Sequence, residues 1–179
     1  MTEFDLSLIK LHTSHYYVKN ENLTKCIRHN GRIFIDKFEK VESTLNSSII
    51  KKHLAKQIVV AHSIINNGKL ENIVIDYNGI NTDMFYHKTQ LLLRSEGFLN
   101  FTAYRSKTNG HLHVYIHKGH THMSEARNIS KSIEFKLSRV MPRQWRVFPS
   151  DEIPLEFNIM TLPYGIYAKE RGSSWSRHM

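Results

Sequence analysis

Between residues 98 and 118 the chain alternates apolar and polar side chains at a spacing of two, around a central Asn109-Gly110. Asn-Gly between two alternating segments is a strong signal for a β-hairpin with a two-residue turn. Successive side chains of a strand point to opposite faces of the sheet, so one face of the second strand is apolar. The other face carries His111, His113, Tyr115 and His117. We therefore expect the apolar face to lie on the core, and the polar face to be open and to have a function.

The same patterns predict four strands and two helices in an ordered succession around this hairpin. The predicted strands are Asn72 to Tyr77, Phe98 to Arg105, His111 to Lys118 and Trp145 to Phe148, and the predicted helices are Thr82 to Ser95 and Ser124 to Val140. Thr82 and Ser124 are favourable helix N-caps, and Gly97 ends the first helix. The order β-α-β-β-α-β is that of the ferredoxin-like or RRM-like split unit. Both helices would then cover one face of a four-stranded antiparallel sheet.

Alternation along the four strands assigns each side chain to the helix-covered face or to the open face. The helix-covered face receives Ile73, Ile75, Leu99, Phe101, Leu112, Val114, Ile116 and Val147. The open face receives Asp76, Thr102, Tyr104, His111, His113, Tyr115, His117, Arg146 and Phe148. An acid, histidines, aromatic rings and an arginine on one open sheet indicate a surface for nucleotides or single-stranded nucleic acid, on which the rings stack with bases.

The two ends of the chain are predicted to extend this core. The patterns predict a helix over Leu6 to Tyr17, a strand over Arg32 to Phe38 and a helix from Asn46 to Ile65, ended by Asn66-Asn67-Gly68. All four prolines lie beyond residue 141, which favours turns and short strands there. The predicted fold is a single α+β domain over 1–179. It comprises a helical N-terminal region (1–68), the split core (69–150) and a C-terminal β arm (151–179).

Composition narrows the class of partner. The formal net charge is +9 and the pI about 9.7, which favours polyanionic partners, above all nucleic acid. No segment approaches the roughly 18 uncharged apolar residues of a membrane span, so no membrane partner is expected. The acidic start lacks the basic region of a secretory signal, and the single Cys26 cannot form an internal disulfide. Both observations indicate a cytoplasmic protein.

Three segments carry a further pattern, in the order of the predicted strands. IVIDYNGI contains Asp76 and Asn78, SKTNGHLHVYI contains Ser106, Gly110 and His113, and WRVFPSDEIPLEFNIMTLPYG contains Arg146, Phe148-Pro149, Asn158 and Leu162-Pro163. Together they resemble the catalytic core of archaeo-eukaryotic-type primases and primase-polymerases, over roughly residues 73–165. The chain departs from that family at Asn78, where the family has a second acid.

The resemblance implies an RRM-like sheet, a divalent metal ion and nucleotide chemistry. In that family the acids bind the metal and the histidine contacts nucleotide phosphates. The expected catalytic residues are thus Asp76, His113 and Arg146, with Mg²⁺ or Mn²⁺ as cofactor. The expected nucleotide- or nucleic-acid-binding residues are Ser106, His111, Tyr104, Tyr115 and Arg143. The reaction implied is metal-dependent nucleotidyl or phosphoryl transfer, and a degenerate descendant that only binds nucleic acid is the other outcome.

Three other interpretations stay open. His111-Leu112-His113 resembles the His-hydrophobic-His motif of metal-dependent single-strand nucleases, which also use an RRM-like sheet. Zinc is the second interpretation, because five histidines lie close in sequence: His111, His113, His117, His120 and His122. Across these interpretations the candidate metal ligands are Asp76, His111 and His113. The third is a non-enzymatic interaction domain whose sheet face is covered by its own terminal segments or by a partner.

Overall fold

The fold consists of two antiparallel sheets, a two-stranded ribbon and three α-helices. The computed structural model describes residues 6, 9–23 and 25–170, and all element bounds refer to that part of the chain. The strands are β1 (Tyr16–Lys19), β2 (Lys25–His29), β3 (Arg32–Asp36), β4 (Phe38–Val41), β5 (Val60–Ser63), β6 (Lys69–Tyr77), β7 (Phe101–Arg105), β8 (Leu112–His122), β9 (Trp145–Phe148), β10 (Ile159–Thr161) and β11 (Gly165–Glu170). The helices are α1 (Ser47–Leu54), α2 (Thr82–Ser95) and α3 (Met123–Ser138), and Leu155–Phe157 forms a 3-10 turn. The predicted α+β class is confirmed.

The larger sheet contains the four predicted strands and one more. Its order is β11-β7-β8-β6-β9, and every neighbouring pair is antiparallel. β6 begins at Lys69 and β8 continues to His122, so both are longer than predicted, whereas β7 starts only at Phe101. The two long strands pair with each other at the centre of this sheet.

Helices α2 and α3 cover one face of the larger sheet. The ring of Phe85 in α2 stacks on Tyr77 of β6, with centroids 4.0 Å apart. α3 buries side chains at the three- and four-residue spacing of an amphipathic helix: Ala126, Ser130, Ile133 and Leu137. The sheet residues of this face are at most 2 % exposed, which confirms their predicted placement: Ile73, Ile75, Phe101, Leu112, Val114, Ile116 and Val147. Leu99 precedes β7 and is 53 % exposed, so its predicted burial is wrong.

The helix starts differ from the predicted ones. Asn81 caps α2, since its side-chain oxygen accepts the backbone N–H of Met84 at 3.4 Å. Thr82 instead donates to the carbonyl of Gly110 at 2.7 Å, which ties α2 to the hairpin turn. α3 begins at Met123, so the predicted cap Ser124 lies inside the helix.

The N-terminal region is mainly β structure, and the predicted N-terminal helical extension is wrong. Of the helix predicted over Leu6 to Tyr17, residues 7 and 8 lie outside the described part, and the remainder contains no helix. Tyr16–Lys19 is instead a central strand, paired with β4 on one side and β5 on the other. Aromatic and β-branched residues fit such a strand, and two partner strands satisfy its backbone groups. The second sheet has the order β10-β5-β1-β4.

The helix predicted over residues 46–65 is correct at its start and wrong at its end. Asn46 caps α1 by accepting the N–H of Ile49 at 3.1 Å. The helix ends after eight residues, and Lys56 then adopts a left-handed backbone with φ 60°. The β-branched run Ile58-Val59-Val60 leads into β5, because such side chains fit a strand better than a helix.

The C-terminal segment completes both sheets. β10 pairs with β5 in the second sheet, whereas β11 pairs with β7 in the larger one. The predicted β arm over 151–179 is confirmed for its described residues, and residues 171–179 lie outside them. The strand predicted over Arg32 to Phe38 is divided, since β3 ends at Asp36 and β4 belongs to the second sheet.

A test of this packing is Gly79→Ala, in the loop between β6 and α2. A β-carbon at Gly79 would overlap Tyr77 Oη and Gln144 Oε1. Tyr77 is only 1 % exposed and cannot move without disturbing the core. We expect Gly79→Ala to lower the free energy of unfolding by about 2 kcal/mol, the usual effect of overpacking, as measured by urea denaturation. Gly165→Ala is the matched control, because its β-carbon would meet only Arg105 Cδ at 3.9 Å. Equal stability of the two variants would contradict the tight packing around Gly79.

Candidate functional site

The polar face of the larger sheet lies against the second sheet. His62 of β5 crosses the interface, and its Nε2 lies 2.8 Å from Tyr115 Oη, with the two rings stacked. Tyr104 and Tyr115 are fully buried and His113 is 3 % exposed. The strand register confirms that these residues share one face with Asp76, but the prediction that the face is open is wrong. Because both tyrosine rings are covered, neither is available to stack on a base.

Near one end of the larger sheet, the register brings the three predicted catalytic residues together. Asp76 of β6 lies directly opposite His113 of β8 on one side and Arg146 of β9 on the other. His113 Nε2 is 3.5 Å from Asp76 Oδ1. Exposure rises along this row, from the buried histidine through the carboxylate, 23 % exposed, to the exposed arginine. The row therefore begins in the core and ends at the surface.

His62 and His113 are buried where the two sheets meet, His53 is buried on α1, and burial favours the neutral form of each ring. Burial lowers the pKa of His62 from 6.5 to about 4. Burial also lowers the pKa of His113, although the Asp76 carboxylate opposes this change. The pKa of His53 is lowered chiefly by burial, with smaller contributions from the charges of Lys107 and His113. Neutral rings are the forms that can sit in an apolar interface without a counter-ion.

The donor set around Asp76 does not fit a two-carboxylate Mg²⁺ or Mn²⁺ site. Asn78, at the second position of the motif, donates its side-chain N–H to Asp76 Oδ2 at 3.0 Å. It thus presents a donor rather than a ligand oxygen to the carboxylate. Within residues 6, 9–23 and 25–170, no three His, Cys, Asp or Glu side chains are grouped to hold a metal ion. No phosphoryl-transfer step follows from this geometry.

The histidines that could have formed a zinc site or a His-hydrophobic-His site have separate surroundings. His111 is half-buried in the hairpin turn before β8, whereas His113 is buried beside Asp76. His117 lies between Thr102 Oγ1 at 2.9 Å and Asn72 Oδ1 at 3.2 Å. His120 Nδ1 is 3.1 Å from Glu71 Oε1, and His122 is exposed before α3. The described structure therefore does not bring the predicted ligands Asp76, His111 and His113 into one coordination sphere.

Several cations of the helix-covered side have carboxylate partners. Arg143, a predicted phosphate contact, has Nη2 at 2.6 Å from Glu134 and 3.0 Å from Glu152. Further ion pairs join Arg127 and Lys131 to Asp151, and Lys136 to Glu96. Their charges are thereby largely compensated, which weakens their attraction for an external anion.

The cations at the end of the larger sheet differ from these. Arg105, Lys107 and Arg146 are exposed, and none of the described carboxylates forms an ion pair with them. Arg105 lies over the Tyr167 ring at 5.4 Å, and Lys107 is near enough to His53 to affect its pKa. Arg105 pairs with Leu112 and therefore belongs to the helix-covered face. We call Asp76, Lys107, His111 and Arg146 the sheet-end site. It combines one carboxylate with two exposed cations at the same end of the larger sheet.

The loop between β6 and α2 forms one rim of the sheet-end site and is held by its own hydrogen bonds. The N–H of Asn78 donates to the Gln144 carbonyl at 2.8 Å, and the N–H of Asn81 donates to Tyr77 Oη at 2.9 Å. Ile80 at the tip of this loop is 96 % exposed. Ser106, another predicted contact, is half-buried on the hairpin side, where its N–H donates to the His111 carbonyl at 3.0 Å.

Sequence reasoning missed Lys107 and Ile80. The signal for Ile80 is present, because an isoleucine between Gly79 and Asn81 is apolar in an otherwise polar loop. Lys107 became relevant only when the register showed which strand ends meet, and no local pattern contains that information.

A cavity of about 250 Å³ lies beside His62, away from the sheet-end site. Its polar walls include Lys10, His12, Asn66, Lys69 and Glu71. Glu71 is already engaged by Lys10 at 3.6 Å and by His120, and His12 Nδ1 lies 2.7 Å from Asn66 Nδ2. Internal contacts therefore use much of its binding capacity.

Comparison with known proteins gives one finding, for the N-terminal part. Residues 1–72 match the family described as a domain of unknown function, DUF1882. This match covers β1 to β5 and α1 and ends inside β6, before Asp76. None of the curated proteins matches the chain. Among the described helices, none has the length and apolar character needed to cross a membrane.

The buried histidines make stability depend on pH. The unfolded chain binds a proton at His62 near pH 6.5, whereas the folded chain does so only near pH 4. We expect full stability above pH 6.5 and a progressive loss as the pH falls towards 4, by about 1 kcal/mol per pH unit for this group. Urea unfolding at a series of pH values measures this slope.

His62→Gln is the matched variant, because an amide can hydrogen-bond Tyr115 but does not titrate. The slope of its unfolding free energy against pH should be smaller than that of the original protein by the contribution of about one proton. His53 and His113 continue to contribute. An unchanged slope would show that His62 does not carry the effect.

Proposed function

We propose that this protein binds nucleotide or single-stranded nucleic acid at the sheet-end site. The observation that carries the proposal is that Lys107 and Arg146 are exposed at the same end of the larger sheet as Asp76 and form no ion pair with a described carboxylate. Phosphate groups are the natural counter-ions for such cations on a chain of net charge +9. Binding would use phosphate contacts at the edge of the sheet rather than base stacking on its face.

The surroundings of the cations agree with an extended polyanion. His111 and Ser106 lie on the hairpin side of the site and supply polar groups. Ile80 offers an exposed apolar side chain in the neighbouring loop between β6 and α2, against which a base can pack. The Asp76 carboxylate would repel a phosphate placed directly on it, so the bound phosphates lie towards Arg146 and Lys107.

We also infer that the strands β9-β6-β8-β7 with α2 and α3 form a ferredoxin-like or RRM-like split unit of primase-like descent. The antiparallel order and the common face of the two helices support this. The neutral Asn78 and the single carboxylate favour a binding descendant over an active nucleotidyl transferase.

Protein interaction is a second candidate function, and one observation favours it. The face that would form the platform of an RRM-like module is covered by the chain's own second sheet through His62 and Tyr115. An interaction domain does not need an open sheet face. The covered face is therefore compatible with a non-enzymatic interaction domain.

The test is fluorescence anisotropy of a labelled single-stranded oligonucleotide over a salt series, with and without Mn²⁺. We expect binding that weakens steeply with salt. Arg146→Ala and Lys107→Ala should each weaken it and reduce the slope of log K against log salt by about 0.7, the value for one lost phosphate contact. These exposed positions are better probes than His113, whose replacement would disturb the core.

Arg139→Ala is the matched control, since Arg139 is an exposed arginine at the end of α3. It removes the same charge and should change binding little beyond the general effect of net charge. Equal effects of the three substitutions would contradict the sheet-end site, and absence of binding at low salt would contradict the function. A gain in affinity with Mn²⁺ would instead support the metal cofactor that the primase resemblance implies.

A further inference from the structure

Among the described strands, none pairs with either edge of the ribbon formed by β2 and β3. Its two strands pair only with each other among the described residues, from Lys25 opposite Asp36 to His29 opposite Arg32. Asn30 and Gly31 form the two-residue turn, with φ 50° and 75°. Unpaired strand edges are sites at which another strand can add to a sheet.

The turn determines which backbone groups face the free edge of β3. A two-residue turn closes on a hydrogen-bonded pair, here His29 and Arg32, and bonded and non-bonded pairs then alternate. Phe34 and Asp36 therefore bond back to β2, while the N–H and C=O groups of Ile33 and Ile35 point outwards. None of the other described backbone hydrogen bonds uses Ile33 or Ile35.

The sequence of β3, Arg32-Ile33-Phe34-Ile35-Asp36, is complementary to its own reverse. We propose that two copies of this chain associate by antiparallel pairing of β3 with β3, about a two-fold axis at Phe34. Ile33 of each copy then lies opposite Ile35 of the other, and the outward groups form four backbone hydrogen bonds. Arg32 of each copy lies opposite Asp36 of the other, which gives two cross-strand ion pairs.

Exposure of the side chains agrees with this pairing. Ile33 and Ile35 are 62 % and 59 % exposed, which is unusual for isoleucine in a strand. The four isoleucines of a dimer would lie side by side on one face of a continuous four-stranded ribbon and reduce that exposure. Arg32 is exposed, and Asp36 uses Oδ1 to accept the N–H of Phe38 at 2.9 Å, which leaves Oδ2 for a partner.

The ribbon is also held in place before any association. On its inner side the Phe34 ring contacts Phe157, with centroids 5.8 Å apart, and His29 Nε2 lies 2.8 Å from the carbonyl of Asp151. A pre-ordered edge loses little conformational freedom on binding, which favours association.

The edge of β2 does not offer the same match. Antiparallel pairing of β2 with itself about Ile27 would place Lys25 opposite His29 and Arg28 opposite Cys26. That register contains basic residues and no acid, so it has no ion pair to stabilise it and concentrates positive charge. The charges therefore select β3 as the edge that pairs.

The test is the mass of the intact protein in solution over a range of concentrations, by sedimentation velocity and light scattering. We expect a reversible shift from the 21.0 kDa monomer to twice that mass. Arg32→Glu and Asp36→Arg should each weaken the dimer about tenfold or more, because two ion pairs become two like-charge pairs. An equimolar mixture of these two variants should form a heterodimer, since every facing pair is then of opposite charge.

Arg28→Glu is the control, because it makes the same charge change on β2 and should leave the dimer intact. Ile33→Pro is a second variant that removes an outward N–H without removing a bond to β2. Circular dichroism verifies that each variant is folded. A monomer at all concentrations, a dimer unaffected by Ile33→Pro, or charge variants that do not associate when mixed would each overturn the proposal.

Discussion

The hydrogen bond between Tyr115 and His62 links the two sheets, and the arrangement of the rest of the chain depends on it. His62 Nδ1 lies 3.1 Å from the Ser63 carbonyl and must donate there, so Nε2 is the acceptor for the tyrosine hydroxyl. This assignment requires a neutral imidazole. A protonated ring would lose its acceptor and place a charge among buried side chains, which is costly. Contact between the sheets is thus linked to the protonation state of one side chain.

This contact also determines where a ligand can bind. A four-stranded sheet with helices on one side usually offers its other side to ligands, but here His62 of β5 lies against that side and Tyr104, His113 and Tyr115 are buried. Arg146, towards the end of its strand, is exposed. There the chain places Asp76, Lys107 and Arg146, with loops whose backbone groups are already bonded to one another. A site at the strand ends contacts phosphates more readily than it stacks bases, which is why the proposed binding differs from that of an open RRM-like sheet.

Local sequence signals were sufficient for the larger sheet and insufficient for the second one. The Asn109-Gly110 turn and the apolar spacing of α2 and α3 act over a few residues, and the predicted elements from β6 to β9 are present. The strand Tyr16–Lys19 depends on partners far along the chain, so its four residues carry no decisive local pattern. The burial of Tyr115 likewise depends on His62, 53 positions away. Alternation could assign the face of each side chain, but it could not show what covers that face. The same limit applies to the candidate site, where Asp76, His113 and Arg146 were predicted to be neighbours and Lys107 was missed.

The position of β10 has a consequence for how the chain acquires its structure. This strand pairs Met160 with His62, and therefore joins residues that are 98 positions apart in the chain. The closing of so long a loop is entropically costly, and contacts of this kind raise the contact order and slow folding. The segment that matches the DUF1882 family contains β5 but not β10, so on its own it would leave one edge of the β5 strand exposed. The second sheet can therefore become complete only after synthesis has passed β9 of the larger sheet, and until then the β5 edge lacks one partner and is open to mispairing.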